Sequence, residues 1–462
     1  MDLQFSEILE IENCPVEYVG DADILDRPVN RIGIDSRKPL ENCLYVAIRG
    51  ENLDGHRFVK DAVVKGALAA VVDEAGFETL KNINIRANFF IVSDTILALQ
   101  QIANYYRQKF EIPFLGITGT SGKTTTKEMM ANVLSTRLNV LKTEGNLNNH
   151  IGVPLTLFNL KSEHDFALIE MGTNHFGEIA RLAEIAEPEY GLITNVGRGH
   201  LEFLGSVAGV AKAKIELFQG LAGKSVAFVN ADDPLIVKNL PGNIKNVVTY
   251  GIKQDARIKA EIVHVNQLGK VTFKVFDQEI SLPIPGLHNV FNALAAMSVG
   301  LEFGLTVSEM KPVIENFQPH SKRMEVVLSK GVTIINDCYN ANPDSTSAAL
   351  SVLESMESGS RKIAVLGDML ELGTVAEREH RLIGQLVSRS NIDVLFGYGQ
   401  NSKYTVDEAR KSPQVQATHF EDKTILAVTL TQMLKKGDVV LLKGSRGMAM
   451  ETILQALTDE AN

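Results

Sequence analysis

Short apolar runs, glycine-rich turns and amphipathic stretches alternate along this chain, and the alternation changes texture twice. Up to about residue 95, β-rich runs at 43–48, 69–72 and Asn88–Val92 are separated by a few helical stretches. Over 94–110 the apolar positions Ile96, Leu97, Leu99, Ile102, Ala103 and Tyr106 follow a helical period, which predicts one amphipathic helix. From Glu111 the pattern becomes strand, glycine-rich turn, helix. Strands are predicted at Phe114–Thr118, Phe166–Glu170, 192–196, Val226–Asn230 and 247–251, with helices over 123–138 and 208–221. The runs at 271–275 and 282–286 suggest an added β segment, closed by a helix over 290–303. After residues 318–320 a third alternation begins, with strands at 332–336, 363–366, Val394–Tyr398 and Val439–Lys443. Strands that alternate with helices predict parallel sheets covered on both faces, the last of them a second, smaller doubly wound unit.

Composition narrows the class without changing that picture. The 462 residues predict two to four domains, and 45% hydrophobic with 22% charged residues is ordinary for a globular protein. A net charge of −10 argues against a general nucleic-acid or membrane-surface binder. Three cysteines, Cys14, Cys43 and Cys338, imply no disulfide framework and a reducing compartment. The first residues lack the basic start and apolar core of a signal peptide, and runs such as 67–72 are too short to span a bilayer. A cytoplasmic, monomeric chain without nucleic-acid partner or membrane insertion is the expectation.

The sharpest chemical signal is Gly119-Thr120-Ser121-Gly122-Lys123-Thr124-Thr125, between a predicted strand and a predicted helix. Glycines let backbone N–H groups turn inward around a phosphate, and the helix N-terminus adds positive potential. Lys123 would bring a mobile cation to the β- and γ-phosphates, and the Thr124 hydroxyl an oxygen for Mg²⁺. The full phosphate-loop pattern wants a glycine five positions before Gly122, where Ile117 stands, so this is a shortened variant. A guanine-reading Asn-Lys-x-Asp and a transporter-type Leu-Ser-Gly-Gly-Gln are both absent from the sequence.

Downstream, Glu170 ends an apolar strand before Gly172, which places its carboxylate at the edge where the phosphate loop lies. Mg²⁺ takes few protein ligands, so a Thr124/Glu170 pair suits it. His200, in Gly197-Arg198-Gly199-His200, follows another strand end, where a structural and a chemical role are equally open. Lys212 and Lys214 read by themselves as a solvated pair. Asn146, Asn148 and Asn149 suit either a turn or a polar binding loop.

Together these stretches resemble the Mur ligases, ATP-dependent amide-bond-forming enzymes of peptidoglycan synthesis, over essentially the whole chain. The matching stretches in the central part are 119–124, Ile169-Glu170-Met171-Gly172, Thr194-Asn195-Val196 with His200, and Ala211-Lys212-Ala213-Lys214. Further on, Pro285-Gly286-Leu287-His288-Asn289 through Ala293, His320-Ser321-Lys322-Arg323-Met324-Glu325 and Asn336 through Pro343 also match. Three stretches, 337–343, 366–373 and 170–175, resemble the branch that joins D-alanyl-D-alanine to UDP-N-acetylmuramoyl-tripeptide. The Asp-Asn-Pro-Arg of the preceding, tripeptide-forming ligase is absent.

The resemblance implies an α/β fold of three domains. These are a small UDP-sugar-binding domain over 1–95, a central P-loop parallel-sheet ATPase domain over 96–319, and a C-terminal Rossmann-like domain over 320–462 for the dipeptide. It assigns Gly119 through Thr125 to ATP and Lys123 to the γ-phosphate. Thr124 and Glu170 would hold one Mg²⁺, with His200 and a carbamylated Lys214 at a second. Lys212 is the alternative to Lys214, which the spacing from His200 favours. Asn289 and Asn292 would face adenine. Arg323 and Asp337, beside Tyr339 and Asn340, would reach phosphate and ribose across a domain gap. Asn146 joins the nucleotide set, with the register in the asparagine cluster left open. Asp35, Ser36, Arg37, Asp54 and His56 would meet the UDP-sugar. The third acceptor residue stays open between lysine and diaminopimelate. The alternatives are another ligase of this superfamily, such as a folylpolyglutamate synthase, or a nucleotide-switched binding protein.

Overall fold

A computed structural model of the chain describes residues 1–82, 85, 87–223, 225–319, 322–356 and 361–458. His320 and Ser321 of the motif before Lys322, and with them the junction expected at 319/320, lie outside the described residues.

Among the described residues three sheets follow one another along the chain. The first has five strands in the order Glu17–Val19, Asn88–Val92, Ala67–Asp73, Cys43–Val46, Arg31–Gly33, antiparallel only at the first pair. The central sheet has nine. Seven run parallel, with Phe114–Thr118 flanked by Phe166–Glu170 and Tyr190–Ile193, and the hairpin-linked Lys270–Val275 and Gln278–Pro285 extend it antiparallel. The last sheet has six strands, five of them parallel, with Glu325–Ser329 antiparallel at its edge. Strands buried on both faces carry near-continuous apolar runs, as in Phe114–Thr118, Phe166–Glu170 and Val439–Lys443, where every position is buried.

Short or polar strands escaped the sequence reading. Gln416–Phe420 is half exposed, and Ile258–Val265 carries Lys259, Glu261 and His264 among its apolar positions. The strand expected over 192–196 ends at Ile193. Thr194 and Asn195 leave the ladder to bond the phosphate loop: Thr194 Oγ1 donates to Ser121 O at 2.7 Å, and Ser121 N donates to Asn195 Oδ1 at 3.0 Å.

Two apolar seams join the sheets. Helix Thr95–Gln108 buries Leu99, Ile102 and Tyr106 in a core that runs from Phe5 and Phe90 to Phe114 and Ile169. On the other side, Leu201, Leu204, Val210 and Ala213 share a core with Leu366, Met369 and Leu372. Each fully buried aliphatic side chain contributes about 1.5–3 kcal/mol, so both seams are substantial. The central and last sheets thereby face each other across a cleft of about 880 Å³.

Candidate active site

The cleft opens at the carboxyl edge of the central sheet, where strand Phe114–Thr118 turns through the glycine loop into helix Lys123–Leu134. Two glycines are required there. Gly119 has φ 152°, and a Cβ on it would lie 1.8 Å from Thr194 Oγ1. Gly122, at φ 81°, caps the helix, and a Cβ there would lie 2.6 Å from Asn292 Oδ1. The left-handed φ at Gly122 aims the helix N-terminus into the cleft.

Lys123 Nζ donates to Gly119 O at 2.6 Å, folded back over its own loop. Burial lowers its pKa, the Glu170 charge works against that, and Arg323 adds to it. Thr124 Oγ1 lies 3.3 and 3.1 Å from the two Glu170 oxygens, and both residues are buried. A hydroxyl and a carboxylate converging at the foot of a phosphate loop form the sparse oxygen pair that Mg²⁺ uses when phosphates and water complete its octahedron. Among the described residues no group of three or more His, Cys, Asp or Glu side chains forms a metal cage.

Glu170 is held by residues outside the sequence assignment. Asn148 Nδ2 donates to its Oε1 at 2.9 Å, and its backbone N–H donates to Thr143 Oγ1 at 2.9 Å. Lys127, fully buried one turn after Lys123, lies 3.7 Å from Glu170 and 3.0 Å from Glu128, and donates to Thr143 O. A lysine among the apolar positions of its helix, beside Met129 and Met130, was the signal that could have found it. The asparagine cluster also separates by role: Asn149 Oδ1 accepts from Gly152 N at 2.8 Å as a turn cap, Asn148 grips Glu170, and Asn146 is exposed on the cleft wall.

His200 caps the short helix Leu201–Leu204 at φ 53° and lines the cleft. Its Nδ1 lies 2.7 Å from Glu371 Oε2 of the last sheet's domain, and the imidazole beside it holds the Glu371 carboxyl below its usual range. A histidine whose one nitrogen is anchored on a carboxylate presents the other in a fixed direction, the habit of metal-ligating imidazoles. The two lysines on helix Val207–Gln219 part company. Lys212 is exposed, its ammonium 5.4 Å above the Phe176 ring, while Lys214 is 1% exposed. Burial, then the nearby Lys123 charge, pushes the Lys214 amine well below its usual range. An uncharged amine is the form able to take up CO₂ as a carbamate.

The far wall comes from the last domain. Arg323 Nη2 donates to Thr124 Oγ1 at 3.0 Å, and its guanidinium lies 3.8 Å over the Tyr339 ring. Asp337 accepts from Lys443 Nζ at 2.5 Å and from Met324 N at 3.2 Å, and Lys443 also donates to Asn340 O at 3.0 Å. Lys443, 2% exposed at the end of its strand, is a further cleft residue that the sequence reading passed over. Asn289 and Asn292 reach the cleft but have internal partners: Thr126 Oγ1 donates to Asn292 Oδ1 at 3.0 Å, and Asn289 Nδ2 to Pro285 O at 2.7 Å.

The residues expected to meet a UDP-sugar lie outside this cleft, in the loop after strand Arg31–Gly33 and at the short turn Gly55–Phe58 beside the first sheet. Arg37 pairs with Asp35 at 2.9 Å and is 88% exposed. Hydrogen bonds from Arg37 hold the Asp35 carboxyl down at about 2. Ser36 is buried and its carbonyl accepts from Lys65 Nζ at 2.6 Å. His56 is buried with both ring nitrogens engaged: Nδ1 lies 2.7 Å from Asp54 Oδ1, and Nε2 accepts from Asp73 N at 3.0 Å. Its place is internal, bracing Asp54 and Asp73, which between them hold Arg49 at 2.5 and 2.6 Å.

Known proteins resemble this chain throughout. Residues 28–107 match the Mur ligase family catalytic domain, 117–300 the Mur ligase middle domain, and 322–446 the Mur ligase glutamate ligase domain. The UDP-N-acetylmuramoyl-tripeptide–D-alanyl-D-alanine ligase of Bacillus subtilis is 36% identical over 93% of each chain. That of Escherichia coli is 36% identical over 95% of this chain and 96% of its own. Among solved structures, MurF of Acinetobacter baumannii superposes with a TM-score of 0.88 at 29% identity, covering 98% of both chains. MurF ligase of Thermotoga maritima in complex with ADP gives 0.82 at 28% identity, over 92% of this chain and 96% of its own.

Proposed function

Because the chain belongs to the Mur ligase family, we propose that its cleft joins D-alanyl-D-alanine to UDP-N-acetylmuramoyl-tripeptide at the expense of ATP, in the bacterial cytoplasm. The carrying observation is that one cleft gathers Lys123, Thr124 and Glu170 from the central domain and Arg323, Tyr339 and Asp337 from the last. A nucleotide held between two domains in this way is exposed to acceptor only when both are in place.

A carboxylate is a poor electrophile, so amide formation in water needs activation. In this reading an acceptor carboxylate oxygen attacks the γ-phosphorus of ATP, the bond to ADP breaks, and an acyl phosphate results. The amine of D-alanyl-D-alanine then attacks the acyl carbon and phosphate leaves. Phosphoryl transfer asks mainly for positioning and charge neutralisation. Lys123 supplies a cation from the loop, and Arg323, braced on Tyr339, supplies one from the opposite wall. Thr124 and Glu170 would hold one Mg²⁺, and His200 with a carbamylated Lys214 a second. Bound ions neutralise phosphate charge as the oxygens move. Lys127 and Asn148 keep the Glu170 carboxylate in one orientation. Closure of the last domain over the loop would keep water from the acyl phosphate.

The test is phosphate release from ATP and Mg²⁺ with UDP-muramoyl-tripeptide, with and without D-alanyl-D-alanine. Release that needs both, with a UDP-muramoyl-pentapeptide by mass, is expected. Release indifferent to both would replace this reading with a nucleotide switch. Running lysine- and diaminopimelate-containing acceptors side by side reads the third-residue preference.

A further inference from the structure

The loop that ends in His200 carries a cation directed at the last domain. Arg198 Nε and Nη2 donate to Asp344 Oδ1 at 2.8 and 2.6 Å, and its backbone N–H donates to Asp344 Oδ2 at 2.5 Å. Its Nη1 donates to Glu379 Oε2 at 2.9 Å. Asp344 sits in the first turn of helix Pro343–Ser355, where the helix dipole favours a carboxylate. Glu379, on helix Ala376–Arg389, is 1% exposed and has Arg378 on its other oxygen at 2.7 Å. The approach is close: a Cβ at Gly197 would lie 2.3 Å from Asp344 Oδ2. Two residues beyond Arg198, His200 meets Glu371 at 2.7 Å, and Glu202 N donates to Glu371 O at 3.0 Å.

We propose that Arg198 is a positioning residue, a clasp that fixes the last domain over the phosphate loop. It thereby sets both the reach of Arg323 to Thr124 and the orientation of His200. A guanidinium that forks between two acids of two different helices, one of them fully buried, is a directional joint rather than a screened surface pair. Lysine carries the charge without the fork, so charge alone does not replace it. The clasp shares its domain junction with the apolar seam of Leu201 and Leu204, which supplies attraction without direction. Arg198 supplies the direction.

The test uses the full chain with Arg198→Ala, Arg198→Lys, Glu379→Gln and the Ala/Gln double variant. Domain separation is read by solution scattering or by a dye pair on the central and last domains, with ADP and Mg²⁺. That readout needs no acceptor and stands apart from the ligase assay, so failure of the substrate assignment and failure of the clasp give different results. Arg198→Ala is expected to widen the domain separation, lower kcat about 10- to 50-fold and raise the KM for ATP. Arg198→Lys is expected to recover only part of that, and Glu379→Gln to matter less in the Ala background than in the native one. Domain separation and kcat within about two-fold of native in Arg198→Ala, or strictly additive effects of the two sites, would overturn the clasp. A fall in melting temperature alone, with separation and kcat kept, would overturn it too, since that is all a structural role would give.

Discussion

Two glycine–histidine turns, each after a parallel strand, have come to opposite uses. In Asp54-Gly55-His56 both ring nitrogens are spent inside the first domain, on Asp54 and on the Asp73 backbone. In Gly197-Arg198-Gly199-His200 one nitrogen is anchored on Glu371 and the ring stands at the cleft wall. The sequences look alike, and the neighbours make the difference. His56 folds back onto the sheet that bears it, whereas His200 lies where a second domain closes over the edge of the sheet. A histidine beside glycine is therefore informative about chemistry only once its second nitrogen is accounted for.

The comparison breaks if the two histidines respond alike to truncation. His200→Ala is expected to lower kcat by about 10²–10³-fold, roughly 3–4 kcal/mol on the barrier, with little change in melting temperature. His56→Ala is expected to do the reverse. Removing the ring leaves the Asp73 N–H and the Asp54 carboxylate short of partners, at about 1–3 kcal/mol of stability by denaturant titration, with kcat kept. A His56→Ala enzyme with native stability and lost turnover would place that residue at the substrate after all.

Smaller effects sharpen the contrast. Arg37, being 88% exposed, should give less than about 0.5 kcal/mol of stability change on Arg37→Ala. If the first domain takes the UDP-sugar there, its KM should rise several-fold with kcat unchanged. Weakest of all is an acid effect in the last domain. Burial raises the pKa of Glu451, but Lys322 and Arg446, at 2.9 and 2.6 Å, outweigh it and hold the group at about 2. A depressed carboxylate stabilises the fold above its ordinary 4.5 and loses that contribution as pH falls towards 2. Glu451→Gln should therefore lower the melting temperature at neutral pH, where the ionised carboxylate contributes, and flatten the acid limb between those values, so that the two proteins converge towards pH 2.

What the sequence made legible was local. The glycine loop declares itself because strand, turn and helix are contiguous, and Glu170 because a carboxylate ending an apolar strand has few places to go. Lys127, Lys443 and Arg198 were given no role because they meet partners 16 to 181 positions away in the chain, and a lysine or arginine in isolation reads as surface. Asn148 was left open within its cluster for the same reason, its partner Glu170 being 22 positions on. Burial marks both lysines in retrospect: Lys127 lies on the buried face of its helix and Lys443 ends a fully buried strand, positions where a solvated charge would have no access to water. The preference for Lys214 over Lys212 came from the spacing to His200, and the structure adds a difference in burial, since two positions on one helix separate an exposed face from a buried one. Asn289 and Asn292 line the cleft while their amides also have local partners, Asn292 on Thr126 of the neighbouring helix and on Asn289, and Asn289 on Pro285 O, which no sequence spacing announces.

Helix Thr95–Gln108 carries a consequence for how the chain comes into being. Its apolar stripe is shared, with one flank against strand Ala67–Asp73 and the other against helices Gly152–Leu157 and Glu178–Ala186. During synthesis the first sheet is complete once Val92 has been made, yet part of that stripe waits for some ninety further residues before anything covers it. A nascent chain paused in that interval presents a sticky, half-dressed helix to its surroundings, and a gene fragment cut at residue 95 discards the lid of its own sheet. A cut after the helix bares its other flank instead, so the first and central sheets share this element and belong in one piece.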